Sequence, residues 1–150
     1  MSETTSTIIK IINGEMPVGI NGSFNIVDVR DLAAGCIAAA DIGRVGEGYI
    51  LGNEVIRFKT LSKILCKELN CPPIKFFLPI SLAEKIAARM ERKAAKTGEM
   101  PMMTTFSVYN LKRNNSFDYS KAQRELGYTV RPVEETLRDQ AQWLREKGLI

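Results

Sequence analysis

Any acid–base chemistry in this chain has to come from tyrosine, lysine, aspartate or glutamate, because the sequence contains no histidine. That absence removes every Ser-His and Cys-His nucleophile scheme and the commonest general base near neutral pH. Cys36, Cys66 and Cys71 are an odd set without CxxC spacing, and no imidazole is present to complete a zinc site. They read as free, mostly buried thiols. Cations concentrate between Lys85 and Lys96, where Lys85, Arg89, Arg92, Lys93 and Lys96 meet only Glu84 and Glu91. Coiled as a helix, Leu82, Ile86, Met90 and Ala94 make one apolar stripe and the charges take the other faces, the pattern of a solvated surface helix. No aromatic side chain interleaves with these charges, so neither nucleic acid nor a membrane surface is the expected partner.

These residues need elements to position them. Ile8, Ile9, Ile11 and Ile12 fall at helical spacing over Thr4 to Ile12, and Asn13-Gly14 supplies the stop. Asn21-Gly22, between Pro17–Ile20 and Ser23–Val27, predicts a hairpin, although Gly19 weakens its first arm. Asp28 is placed to cap a helix, with Asp31 reaching back in a variant capping box and Leu32, Cys36, Ile37 and Ala40 facing the core. Gly43, Gly46 and Gly48 then form a turn before a short buried strand, Tyr49-Ile50-Leu51. A helix capped by Thr60 runs to Leu69, Ile74–Leu78 is a second apolar strand, and the basic helix follows to Thr97-Gly98. Further helices are expected over Thr104–Leu111, from Asp118 or Ser120 to Gly127, and over Val133–Lys147 with Leu137, Ala141 and Leu144 inward.

Strands separated by helices imply βαβ units and an α/β layer. Three or four short strands against six helices is little sheet for so much amphipathic helix, so part of the sheet is expected to lie outside this sequence. With 150 residues, 45% hydrophobic and 25% charged, the chain suits one globular domain spanning 1–150, and no apolar run approaches the ~20 residues that cross a bilayer. Met1 to Ser6 is polar with no secretory pattern, which points to the cytoplasm. The net charge of +4 permits attraction to anions without identifying one.

Phe24-Asn25-Ile26-Val27-Asp28-Val29-Arg30-Asp31-Leu32-Ala33-Ala34-Gly35 resembles the strand-to-helix segment in the second half of NAD-dependent epimerase/dehydratase proteins of the extended short-chain dehydrogenase/reductase superfamily. The V-D-V-R-D string is closest to the dihydroflavonol-reductase-like branch. Gly46-Glu47-Gly48-Tyr49-Ile50-Leu51-Gly52 is similar to the next strand and turn. Phe117-Asp118-Tyr119-Ser120-Lys121-Ala122, then Glu125-Leu126-Gly127-Tyr128 and Arg131-Pro132, resemble the family's C-terminal signature, with Trp143-Leu144 in its last helix. These matches keep the family's order and spacing from Ile9 onward.

The resemblance implies a partial Rossmann-type fold: the helix-rich, substrate-binding C-terminal part of an extended short-chain dehydrogenase/reductase, without the dinucleotide-binding N-terminal half. The cofactor of the parent family is NAD or NADP, and none is expected to bind this chain alone. Gly43-x-x-Gly46-x-Gly48 ends a helix and precedes a strand, the reverse of the order that cradles a pyrophosphate. The family's catalytic pair is Tyr followed four residues later by Lys, so that the cation lowers the phenol's pKa. Here that position holds Asn53 after Tyr49, Arg113 after Tyr109, Gln123 after Tyr119 and Pro132 after Tyr128. Arg113 is a poor substitute for a compact ammonium. No catalytic residue, cofactor site or metal site is therefore assigned. Asn25, Arg30, Met103, Tyr109 and Arg113 are candidates for a substrate-pocket wall, with helix surface, core or turn duties as the ordinary alternatives. Ser23-Phe24-Asn25 lacks the arginine that clamps a nucleotide-sugar diphosphate, which favours a smaller or less charged carbonyl compound. The expected partner is a second copy of the chain or a separate dinucleotide-binding half.

Overall fold

A computed structural model describes residues 3–101 and 103–150. The described residues form α1 (Glu3–Ile12), β1 (Val18–Ile20), β2 (Ser23–Asn25), α2 (Val29–Ile42), β3 (Val55–Arg57), α3 (Phe58–Leu69), β4 (Phe76–Leu78), α4 (Ile80–Thr97), α5 (Thr105–Lys112), α6 (Ser120–Leu126) and α7 (Val133–Glu146). They divide into two compact units: 1–24 with 57–114 and Ile150, and 25–56 with 115–149. The chain passes from one to the other within β2 and within β3, which pair as a two-stranded sheet.

In the first unit, α1 packs on α3, and Ile8 and Ile11 of the one and Leu61 and Leu65 of the other are all fully or almost fully buried. Gly14 closes α1 at φ 71°, as Asn13-Gly14 suggests. The expected hairpin at Asn21-Gly22 does not form. β1 instead pairs in parallel with β4, in the register Val18–Phe76, Gly19–Phe77 and Ile20–Leu78, and the Asn21 amide extends the ladder by donating to the Leu78 carbonyl at 2.9 Å. A two-residue Asn-Gly turn needs positive φ. Gly22 does not adopt it, and an added Cβ there would stand 2.6 Å from Leu111 Cβ. Gly19, which weakens a hairpin arm, leaves room for the Phe77 and Phe58 rings, and Phe58 meets both Phe24 and Phe77 edge-on. The parallel pair with helices between its strands is the βαβ arrangement expected from the element order.

Helix α3 begins two residues before Thr60, with Arg57 at its N-cap. The inner line of α4 is Ile80, Ala83 and Ala87 rather than the stripe through Leu82, which is 44% exposed. The small alanines let α5 approach closely, so that Val108 is buried there with Ile20 and Met103 packed around it. Thr104 caps α5 in a reciprocal capping box with Ser107, and Glu91 of α4 accepts the next amide, Thr105, at 2.9 Å. Cys66 and Cys71 are half-buried with sulfurs 3.0 Å apart, and Cys36, in the second unit, is exposed. The expectation of mostly buried thiols therefore fails for all three.

In the second unit, Ala122, Leu126 and Tyr128 form a buried cluster that takes Ala38, Ala39, Tyr49, Leu51, Tyr119 and Val130 around it. Gly35 is the point of closest approach: a Cβ there would lie 2.8 Å from Leu51 and 3.0 Å from Tyr128. Gly127 ends α6 at φ 64°, and α7 buries Val133, Leu137, Ala141 and Leu144 at the 3.6-residue period read from the sequence. Tyr49-Ile50-Leu51 does not form a strand, and Ile50 is half-exposed. The core face expected for α2 is its outer face. Leu32 and Ile37 are 40% and 63% exposed, Cys36 and Ala40 are also exposed, and the buried positions are Asp31 and Gly35. The period identifies a stripe correctly, but the tight Gly35 contact sets which side turns inward.

Candidate functional site

The family-like segments converge on a polar cluster in the second unit. Asp28 caps α2 by accepting the Arg30 amide at 2.9 Å, as expected for an N-terminal aspartate, and its carboxylate also takes the Arg30 guanidinium at 2.8 and 2.9 Å. Hydrogen bonds from Arg30 hold the Asp28 carboxyl far below the usual carboxylate range. Arg30 bridges on to Asp139 of α7 at 2.7 Å. Asp31 does not complete a capping box. It accepts the Arg131 amide at 2.8 Å, with Nε at 2.9 Å and a terminal guanidinium nitrogen at 2.7 Å. A rigid fork and a backbone donor offered together are a stronger attraction than its own helix's amide.

Asn25, the last residue of β2, spends its amide on backbone: Nδ2 donates to the Asn53 and Asn115 carbonyls, and Oδ1 accepts the Asn53 amide. Lys121 is held by Glu47 at 2.6 Å and the Gly48 carbonyl at 3.0 Å, with its ammonium 4.6 Å from the Tyr49 ring centroid. The Tyr49 hydroxyl donates to Glu125 at 2.8 Å. This side chain set fastens the turn after α2 to α6.

Met103, Tyr109 and Arg113 lie in the first unit. Met103 is half-buried against the α4–α5 cluster. Tyr109 and Arg113 are brought together at the end of α5, but the guanidinium sits over the ring face, 5.7 Å from its centroid, and the Arg113 amide closes the helix on the Tyr109 carbonyl. That is a cation–π stack on a half-exposed tyrosine.

A cleft of about 510 Å³ opens in the same unit, lined by Asn21, Gly22, Ser23, Arg57, Lys59, Ile80, Leu111 and Lys112. Sequence reading misses the grouping of Arg57, Lys59 and Lys112 because they arrive from two segments more than fifty residues apart. The one local signal is two cations, two residues apart, where a helix begins without an acidic residue in its first turn. Among the described residues no group of histidine, cysteine and carboxylate side chains could hold a metal ion.

The dinucleotide does not fit this chain's glycines. Gly43 closes α2 at its carboxyl end by donating to the Ala39 carbonyl, so that terminus presents carbonyls where a pyrophosphate needs amides. No helix of the described residues is long and apolar enough to cross a membrane.

No protein-family model matches the chain. Among curated proteins it is 29% identical over 151 aligned positions to a protein of Synechocystis sp. named as a candidate dihydroflavonol 4-reductase, covering 98% of this chain and 44% of that one. The crystal structure of gox2253 superposes with a TM-score of 0.80 at 31% identity, covering 98% of this chain and 44% of the other. The chain thus matches the C-terminal part of proteins named for dihydroflavonol reductase and sugar-nucleotide epimerase activities. A nucleoside-diphosphate-sugar epimerase from Pseudomonas aeruginosa is similar at a TM-score of 0.71 and 25% identity, over 97% of this chain and 43% of the epimerase. The fold is accordingly a helix-rich part of a Rossmann-type α/β protein, and the chain spans about 44% of the length of the curated relatives it matches first.

Proposed function

We propose that this chain is the substrate-binding C-terminal portion of an NAD(P)-dependent reductase or epimerase acting on a carbonyl or hydroxyl substrate, and that it turns substrate over only beside a dinucleotide-binding half. The observation that carries this reading is the outer face of α2. Val29, Leu32 and Ile37 form an exposed apolar stripe at helical spacing, 74%, 40% and 63% exposed, on a helix whose sequence is patterned for burial. The relatives carry more than half of their length outside the matched region, which is ample for the α/β half that would cover that stripe. In this reading the missing half holds the nicotinamide and the proton donor, while this chain binds and orients the substrate and excludes water.

Trp143, on α7 and 48% exposed, provides the first test. Titration of the chain with NADH or NADPH should give no saturable quenching. Co-expression with the N-terminal part of the Synechocystis relative should restore reduction of a carbonyl substrate that neither piece reduces alone. Turnover by the chain unaided, with added nicotinamide, would sink the proposal.

A second reading is a non-enzymatic module that associates with itself through the same face. Burying about half of each of three such side chains is worth roughly 2–5 kcal/mol, at or below the lower bound of the rigid-body cost of association. That favours a covalently linked or larger partner over a homodimer. A stable dimer at micromolar concentration in sedimentation velocity would reverse the preference.

A further inference from the structure

The cleft between the β1–β2 link, the start of α3 and the end of α5 has a positive charge that no carboxylate among the described residues balances, although the Lys59 ammonium lies 5.7 Å from the Phe77 ring centroid. Arg57 and Lys59 both line it, and no carboxylate of a described residue pairs with either. Lys112, the third cation on the rim, is compensated by Glu84 at 2.9 Å. The cleft therefore carries two positive charges without a carboxylate partner, and the other charge among its lining residues is the neutralised Lys112.

Their placement adds to the imbalance. Arg57 is the N-cap of α3 and makes no side-chain capping bond, and the first turn contains no acidic residue. Helix N-termini ordinarily attract carboxylates and repel cations. The lining also includes two apolar side chains, Ile80 and Leu111.

We infer that this cleft binds an oxyanion carried on a small, partly apolar molecule: the charged group between Arg57 and Lys59, the hydrocarbon against Ile80 and Leu111. The inference rests on the first unit alone and stands whether or not the chain serves a reductase. It supplies, from residues outside the family-like segments, the anion contact that Ser23-Phe24-Asn25 lacks. A phosphate ester and a carboxylate share this chemistry.

The test uses the full chain and three probes: phenyl phosphate, phenylacetate and inorganic phosphate. Amide chemical shifts should move saturably at Gly22, Ser23, Arg57 and Lys59 with one of the two aromatic anions, and that probe should bind more tightly than inorganic phosphate. Tighter binding of phenyl phosphate identifies a phosphate ester; tighter binding of phenylacetate identifies a carboxylate. Arg57→Ala with Lys59→Ala should weaken binding by about tenfold or more, and Arg57→Lys should restore part of it in the presence of Lys59. Both side chains are exposed, and an unchanged melting temperature verifies that the variants are folded. Lys93→Ala with Lys96→Ala, on α4, should leave affinity unchanged. Three results would each overturn the inference: no saturation by either aromatic anion at millimolar concentration, equal binding by the Arg57/Lys59 double variant, or shifts spread along α4 instead of the cleft.

Discussion

Replacing Asp31 by alanine tests the polar cluster most directly. The carboxylate is 7% exposed and accepts three donors from Arg131: the backbone amide at 2.8 Å, Nε at 2.9 Å and a terminal nitrogen at 2.7 Å. Truncation orphans the amide, which costs about 1–3 kcal/mol, and breaks a largely buried ion pair, which costs about 3–5 kcal/mol where both partners are sealed from water. Arg131 is 24% exposed and has Asp28 and Glu135 each 3.7 Å away, so its freed charge is partly rehoused. The working figure for Asp31→Ala is therefore about 2–4 kcal/mol, and about 1–2 kcal/mol for Asp31→Asn, which keeps an acceptor for the amide. Burial pushes the Asp31 carboxyl up, but the hydrogen bonds from Arg131 outweigh it and hold the group below its ordinary value of 3.8. A depressed carboxylate stabilises the fold fully above its unfolded pKa and loses that contribution as pH falls through the folded one. Urea unfolding followed by far-ultraviolet circular dichroism should show the full gap between wild type and variant at pH ~7 and a shrinking gap below pH ~4. A gap under about 0.5 kcal/mol at neutral pH, or one that stays constant into acid, would refute the reasoning.

Other outcomes follow from the same geometry. Ile37→Glu, at a position 63% exposed, should leave the melting temperature of the isolated chain nearly unchanged while abolishing activity restored by a supplied dinucleotide-binding half; a large loss of stability would mean the α2 stripe is already covered. The Tyr128 hydroxyl is buried without a hydrogen-bond partner among the described residues, so Tyr128→Phe should be neutral or stabilising by up to about 1 kcal/mol in the same urea assay. Burial and the neighbouring Cys71 thiol push the Cys66 thiol up to about 12, whereas Cys36 is exposed. Mass-spectrometric mapping during iodoacetamide treatment at neutral pH should therefore find Cys36 alkylated well before Cys66.

Much of the fold was legible where one segment decides its own structure. Helix α7 follows from the period of Leu137, Ala141 and Leu144, and the start of α2 follows from Asp28 because a cap is a bond within three residues. The failures share a cause, a distant partner that outbids a local signal. Asn21-Gly22 is a sound hairpin turn until Phe76–Leu78 offers β1 a parallel ladder, and Asp31 is a sound capping residue until Arg131 arrives 100 positions later. Periodicity found the stripe of α2 but not its surroundings, since a face patterned for burial looks the same whether or not its cover lies within the sequence. Of the pocket-wall candidates, Tyr109 and Arg113 were legible as a pair from their spacing of four. The cationic cleft was not, because four separate stretches of chain build it.

The interleaving of the two units governs how the chain can be made. The second unit opens at Asn25, yet the residues that complete its core, Ala122 to Leu144, follow the long excursion Arg57–Asn114. At ~5–20 residues per second, about 60 residues of synthesis separate the two parts of that unit by roughly 3–12 s. During that wait α2 has neither its Tyr128 contact nor an Arg131 to satisfy Asp31, and it must be shielded by the nascent surroundings or by a chaperone. A stop codon before Ser120 would deprive that helix of α6, Tyr128 and Arg131 together, so shortening the gene from its 3′ end should yield insoluble product before the first unit loses any residue of its own core.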